Sequence, residues 1–293
     1  MVSNLLMATE QMSDTPSALT TPGWPGSQLA ADVREIVVEQ VAYRELLFRL
    51  TYRDLLLRYK QTVMGFGWAI FMPLVNTIIF SVVFMRVAPI DTGGVPYPLY
   101  AYSGLLVWNF FAASLRFAVS SLTSNPNLIT KIYFPREILP ISAVLVTFVD
   151  SIIGSVVLAG LMAYYHVGVS PALLLLLPLV VAVLMAFTCA IALALAMANL
   201  FYRDVKYLFE ILVTFWMFAT SVLYPIDLVG GRLGPLLRLN PMVPIIDAFR
   251  AVVIRGEAPD AGRLAGAAAI SAVALVTAWV AFHRAEFRFA ENI

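Results

Sequence analysis

The chain has 293 residues, of which 61% are hydrophobic and only 13% charged, and its mean hydropathy is +0.86. Soluble globular domains carry roughly a quarter charged residues, so this composition excludes a soluble domain and identifies an integral membrane protein. A net charge of +1 gives nucleic acid no electrostatic reason to bind, and a single cysteine, Cys189, excludes an intrachain disulfide framework or a cysteine metal site.

Residues 1–30 lack the basic and then apolar segments of a secretory signal. The stretch from Ser13 to Ser27 is rich in Ser, Thr, Pro and Gly, which predicts a disordered tail. Residues 31–62 read as a helix, but Arg34, Arg44, Arg49, Arg53, Arg58 and Lys60 are too many charges for hydrocarbon. Glu45–Arg49 and Asp54–Arg58 are i,i+4 pairs, and Leu46, Leu47, Leu50 and Leu57 share one side. This predicts an amphipathic helix lying along the membrane interface; a soluble helix that folds on a partner is the alternative.

Six apolar runs follow, at about 64–87, 99–122, 138–165, 171–198, 207–224 and 264–283. The first is kinked at Pro73. The stretch 225–262 holds Pro225, Pro235, Pro241, Pro244 and Pro259 and two short apolar pieces. Each piece is under the roughly 20 residues that a span needs. With six spans and both ends cytoplasmic, the inside holds Arg34, Arg44, Arg49, Arg53, Arg58, Lys60, Lys131, Arg136, Arg203, Lys206, Arg284 and Arg288. The outside loops 88–98 and 166–170 hold no lysine or arginine, as the positive-inside rule asks. Arg232, Arg238, Arg250, Arg255 and Arg263 break the pattern, but long loops count less in that rule.

The most informative stretch is the polar interruption Asn125-Pro-Asn-Leu-Ile-Thr-Lys-Ile-Tyr-Phe-Pro-Arg-Glu-Ile-Leu-Pro140 between the second and third spans. Pro126, Pro135 and Pro140 stop the flanking helices and leave room for one short helix. It is expected to present Lys131, Tyr133, Phe134 and Arg136 to the cytoplasm, as a knob for a soluble partner or as an ordinary charged turn.

Inside the membrane, Asn76, Asn109 and Asp150 fall roughly 18–20 Å from the cytoplasmic ends of three different spans. They are either interhelical glue or the lining of a hydrated pathway. Arg116 lies about 9 Å deep, where it either snorkels or binds a lipid phosphate with Arg49, Arg53, Arg58 and Lys60 beside it. Trp68, Phe71, Trp108, Phe110, Phe215 and Trp216 face either lipid or a carbohydrate conduit. Nothing resembles a catalytic site, since no lysine follows a glycine to form a phosphate-cradling loop. His166 and His283 lie near span ends on opposite sides of the membrane, and each reads as an interfacial side chain rather than a metal ligand.

Four motifs in order give this chain a resemblance to a known family. They are Tyr59-Lys-Gln-Thr-Val-Met-Gly-Phe-Gly-Trp68 with Pro73, the 125–140 loop, Asn199-Leu-Phe-Tyr-Arg-Asp204, and Asn240-Pro-Met242 with Asp247 and Arg250. Together they resemble the permease subunits of ABC-2-type polysaccharide exporters, which serve O-antigen, capsule, teichoic acid or galactan export; Met64 stands where leucine is usual. The resemblance implies an all-α membrane protein with six transmembrane helices, an interfacial helix and re-entrant helices between spans 5 and 6. It also implies a homodimer in the bacterial inner membrane with two copies of a separate ATPase, which would bind the ATP and Mg, while this chain binds no cofactor and is not an enzyme. The cargo would be a lipid-diphosphate-linked polysaccharide. Asn125, Pro126, Lys131, Tyr133, Phe134, Pro135, Arg136 and Glu137 would couple to the ATPase. Asn240, Pro241, Met242, Asp247 and Arg250 would belong to an outer gate. A drug or lipid exporter and a membrane-embedded glycosyl- or acyltransferase are the alternatives, but the first would lack the basic helix entering a Gly-x-Gly-Trp span, and the second would need clustered carboxylates or a histidine at one face.

Overall fold

Most of the apolar runs become helices, and the described residues form helices and no strand. The computed structural model describes residues 25–60, 65, 67–87, 90–131, 134–168, 170–231, 233–286 and 289. Helix α1, Pro25–Ala42, meets α2, Arg44–Tyr59, at Tyr43. Helix α3, Gly67–Val82, runs on as a π-helical turn, Val83–Val87. Then come α4, Tyr97–Ser121; the short α5, Pro126–Lys131; and α6, Ile138–Tyr164. After α7, Pro171–Leu174, come α8, Leu177–Phe201, and α9, Val205–Phe218. Two short helices follow, α10, Leu233–Arg238, and α11, Met242–Arg250, the latter continuing as a π turn, Ala251–Arg255. Helix α12, Ala261–Ala285, closes the fold.

Four of these stretches are long and apolar enough to cross a membrane: Tyr97–Ser121, Ile138–Tyr164, Pro171–Phe201 and Ala261–Ala285. They coincide with the predicted second, third, fourth and sixth spans. The predicted first and fifth spans are shorter helices, α3 with 16 residues and α9 with 14. The predicted tail also needs a correction, because α1 begins at Pro25; residues 1–24 lie outside the described residues.

Helix α4 is the centre of the bundle. Its most apolar window is 72% buried, against 22–39% for the other three long stretches. Helices α3, α6, α8, α9 and α11 all pack on it, so it is covered all round, as an apolar helix without a polar face requires. Polar ties fix its rotation: Tyr102 Oη donates to the Gly154 carbonyl at 2.8 Å, and the Ser114 and Thr147 hydroxyls meet at 2.5 Å. A second cluster joins Leu50, Leu122, Ile129, Phe134, Ile138, Leu193, Phe282 and Phe289 at the end of the bundle that carries α2 and α5.

Arg250 ties the opposite end together. It is 1% exposed, and all five of its N–H donors are used. Nε donates to Ser103 Oγ at 3.2 Å, Nη1 to Tyr100 Oη at 2.9 Å and Ser221 O at 2.6 Å, and Nη2 to Tyr100 O at 3.2 Å and Val222 O at 2.6 Å. The guanidinium also stacks 3.7 Å from the Tyr100 ring centre, and Asp247 lies 3.9 Å away. Ser221 and Val222 follow the C-terminal end of α9, so the helix ends at Phe218 and its freed carbonyls face the arginine instead of continuing the predicted span to 224.

Gly104 makes this approach possible. A Cβ there would run into both Arg250 Nη2 and the Val222 carbonyl oxygen. Neither neighbour is free to give way, so Gly104→Ala is expected to cost about 3 kcal/mol, the upper part of the overpacking range. A drop in unfolding temperature of the detergent-solubilised protein, relative to Gly266→Ala, whose Cβ would meet open space, is the measurement that checks this.

Candidate functional site

The three polar residues predicted at one depth converge. Asn76 of α3, Asn109 of α4 and Asp150 of α6 line one cavity of about 240 Å³, with Trp68, Phe110, Arg116 and Thr147 around them. Asp150 is not alone there. Arg58 Nη1 of α2 pairs with Asp150 Oδ2, and Tyr59 Oη donates to Oδ1. The Arg58 guanidinium also lies 3.8 Å over the Phe117 ring. An ionisable residue in an apolar helix needs such a partner, and here the partner comes from the basic helix that precedes the bundle. Arg58 is therefore engaged by Asp150 and is not a free phosphate ligand.

A second cavity, of about 560 Å³, lies between α2 and the facing ends of α4 and α6. Arg53, Arg58, Asn125 and the hydroxyl-bearing Ser120, Ser121, Ser124 and Ser142 line it. Arg58 borders this cavity and Asp150 borders the first, so their ion pair stands in the wall between the two. Arg53 Nε donates to Asp54 Oδ1 at 2.9 Å, and its Nη2 reaches Asn125 Oδ1 at 3.5 Å. Arg49 pairs with Glu45 at 2.6 Å on the exposed face of α2, and Lys60 is exposed beyond the end of that helix. Arg116 neither snorkels alone nor stands free: its Nε donates to Glu210 Oε2 of α9 at 3.1 Å.

Of the six aromatic residues expected to line a conduit, Trp68 and Phe110 face the first cavity. Trp108 is 3% exposed and packs against Phe111, whose ring lies 5.1 Å from that of Trp216. Trp216 donates from Nε1 to Asn240 Oδ1 at 3.1 Å. These two tryptophans belong to the core, and the Trp216 indole N–H is satisfied there. Phe71 and Phe215 stand exposed on α3 and α9.

The loop at 125–137 forms the short helix expected from its prolines. Pro126, Asn127, Thr130 and Lys131 of α5 are exposed, and Asn125 Nδ2 ties the loop to the Ser121 carbonyl at 2.9 Å. Tyr133 lies outside the described residues. Phe134 departs from expectation, because it is 2% exposed and points into the cluster of Ile129, Ile138 and Phe282. Pro135 and Glu137 are buried as well, and Arg136 is half-buried against Glu286. Among the described residues of the loop, the outward surface is therefore α5 itself and not Phe134.

At the other end, Asp247, Arg255, Asp260 and Arg263 surround a cavity of about 460 Å³. Asn240 orders the chain beside it, accepting from Met242 N at 3.1 Å and donating to Thr220 Oγ1 at 2.7 Å. Pro241 and Met242 then start α11, with Met242 fully buried. Arg250 is buried in the tie described above and does not line the cavity. Tyr59 and Glu210, the partners of Asp150 and Arg116, are not among the predicted site residues. Tyr59 stands at the head of the Tyr-Lys-Gln-Thr motif, and Glu210 is a lone carboxylate in an apolar run, which calls for a cationic partner.

The profile of the family described as ABC-2 type transporter matches residues 45–254. The chain is 32% identical over 270 residues to an O-antigen export system permease protein, RfbA, of Myxococcus xanthus, covering 88% of this chain and 99% of that relative. It is also 29% and 26% identical to two O-antigen export system permease proteins, RfbA, of Klebsiella pneumoniae, each match covering 72% of this chain and 81% of the relative.

The Arg58–Asp150 pair carries a definite expectation. Each side chain is 21% exposed, so losing one partner should cost less than the 3–5 kcal/mol of a fully buried pair, about 2 kcal/mol. Arg58→Ala should lower the unfolding temperature, and Asp150→Asn, which keeps the size and removes the charge, should lower it less. If Arg58→Ala and the double variant Arg58→Ala/Asp150→Asn unfold at the same temperature, the stranded carboxylate is not what the arginine is there to neutralise.

Proposed function

The chain belongs to the ABC-2 type transporter family, and we propose that it is the membrane subunit of an ATP-driven exporter that moves a lipid-linked surface polysaccharide of the O-antigen class out of the cytoplasm. The observation that carries this reading is the nearly end-to-end similarity to an O-antigen export permease. The chain is an apolar, multi-pass membrane protein, and its setting in this reading is the bacterial inner membrane with both termini cytoplasmic. Helix α3 and its π turn, 16 and 5 residues, reach about 30 Å, the thickness of the hydrocarbon core. With α3 and α9 as the first and fifth spans, there are six. Helices α10 and α11 dip in from the outer face as a re-entrant pair.

Six spans make half a channel, and the partner half is a second copy of the chain. The apolar faces that α3 and α9 leave exposed support this, with Met72, Ile78 and Ile79 on one and Leu208, Ile211 and Phe215 on the other. The cavity lined by Arg53 and four serines receives the lipid phosphate, with Arg53 as its cation and hydroxyls as further donors, while Arg58 stays paired with Asp150 in its wall. The glycan passes the polar cavity beyond, where Asn76 and Asn109 offer hydrogen bonds and Trp68 and Phe110 offer flat apolar faces. The outer mouth is the cavity with Asp247 and Arg255.

ATP and Mg belong to a separate ATPase subunit in this reading, docked on α5. Purified alone, the chain should neither bind nor hydrolyse ATP, and vectorial transport should appear only when it is reconstituted with its ATPase. ATP turnover that persists in the isolated chain after contaminating ATPases are removed would sink the reading. Deleting the gene should strip the polysaccharide from the cell surface and leave lipid-linked glycan inside.

The same assembly separates two roles within the loop. Lys131→Ala, on the exposed side of α5, should weaken coupling to the ATPase and leave the fold intact. Phe134→Ala empties a buried site and should cost about 3–5 kcal/mol of stability before any partner is added. Unfolding temperature of the chain alone, set beside ATPase co-purification, distinguishes them; a Phe134→Ala protein as stable as the wild type, yet unable to hold the ATPase, would return the docking role to the aromatic.

A further inference from the structure

Glu137, at the start of α6, lies beside the end of α12 and faces His283 and Glu286. His283 Nδ1 is 3.1 Å from Glu137 Oε1 and 4.0 Å from Glu286 Oε2. One ligand atom from each of the three residues falls within a sphere where all lie within 4.8 Å of one another. Glu137 is 1% exposed, and its second oxygen, Oε2, is buried and has no hydrogen-bond partner. A buried carboxylate oxygen with nothing to accept from is costly, and it belongs to a carboxylate that faces the histidine.

Charged groups of both signs surround the trio. Arg136 is turned toward Glu286, with its backbone N–H on Oε1 at 3.0 Å and its guanidinium on the Glu286 carbonyl, which leaves Oε2 facing His283. Glu39 of α1 adds a third carboxylate at longer range.

We propose that Glu137, His283 and Glu286 form a binding site for a divalent transition-metal ion, of the zinc or manganese type, that fastens the loop before α6 to the end of α12. One imidazole and two carboxylates are the donor set such ions take, and three protein ligands leave a position for water. Tetrahedral ligands about 2.1 Å from a zinc ion lie about 3.4 Å apart, so the 3.1 and 4.0 Å separations need little adjustment. The side chains of His283 and Glu286 are 19% and 18% exposed, which gives an ion its way in. Binding would replace the contact between His283 Nδ1 and Glu137 Oε1 with two bonds to the ion. The site does not depend on the export reading, because it concerns the chain's own fold, and either can fail while the other stands.

The test uses the full-length chain without a polyhistidine tag, purified in detergent and stripped with a chelator. Titration with Co2+ should give a visible absorption band that saturates at one ion per chain, and Zn2+ should abolish the band. Zn2+ at saturating concentration should raise the unfolding temperature by a few degrees, as binding to the folded state alone requires. His283→Ala and Glu137→Gln should weaken binding by at least tenfold. If either variant fails to fold, the wild-type Co2+ band and its displacement by Zn2+ decide the matter alone. No band and no thermal shift in the wild type would mean that the trio is an ion pair only, and would overturn the site, as would equal binding by the wild type and His283→Ala.

Discussion

A guanidinium buried at 1% exposure among apolar helices is the constraint on which the rest of the structure depends. Removing such a group from water is expensive, and the expense is offset only if every donor finds an acceptor. Arg250 meets that condition by drawing its acceptors from two segments: Tyr100 and Ser103 of α4, and the chain just past α9. The carbonyls of Ser221 and Val222 are available because α9 stops at Phe218, and α4 comes close enough because Gly104 carries no side chain. The helix end, the glycine and the arginine are therefore one solution and not three independent features. Helix α11, which carries the arginine, is held against the central helix at a fixed depth.

A second ion pair sets the other end. Arg58 and Tyr59 bring α2 onto α6 by pairing with Asp150, while Arg116 and Glu210 bring α4 onto α9. In both cases a charge that looked available to a ligand is answered by a charge of the chain itself. The cavity between them nonetheless stays polar, because Asn76, Asn109 and Thr147 line it along with Asp150. Asp150 both ties α2 to α6 and borders this cavity, and Asn76 and Asn109 border it from α3 and α4.

Much of this was legible in the sequence. Four spans follow from hydropathy and length alone, and the short helix of the 125–137 loop follows from its prolines, because these are local properties. The end of α9 was not legible: Thr220 to Tyr224 are apolar enough to continue a span, and what stops the helix is an arginine 29 residues away from Ser221. Asp150 and Arg58 are separated by 92 positions, and Glu137 and His283 by 146, so no spacing rule links them. Phe134 shows the limit most plainly. An aromatic between a lysine-bearing helix and a proline suits an outward anchor and an inward plug equally well, and only the packing of Phe282 and Phe289 beneath it selects the second.

That inward plug changes what the loop can transmit. Helix α5 is held on one side by Asn125, bonded to the Ser121 carbonyl at the end of α4 and touched by Arg53 of α2. On the other side Phe134, Arg136 and Glu137 bind it to α12. A loop anchored by one weak contact would absorb a push from a partner; one fixed at both ends passes the displacement on. The rigid routes lead to α2, whose Arg58 stands between the two cavities, and to α12. In the proposed exporter, force applied to α5 thus reaches α2 through Asn125 and α12 through Phe134, Arg136 and Glu137, and among the described residues of the loop the surface that receives the force is the polar face of α5.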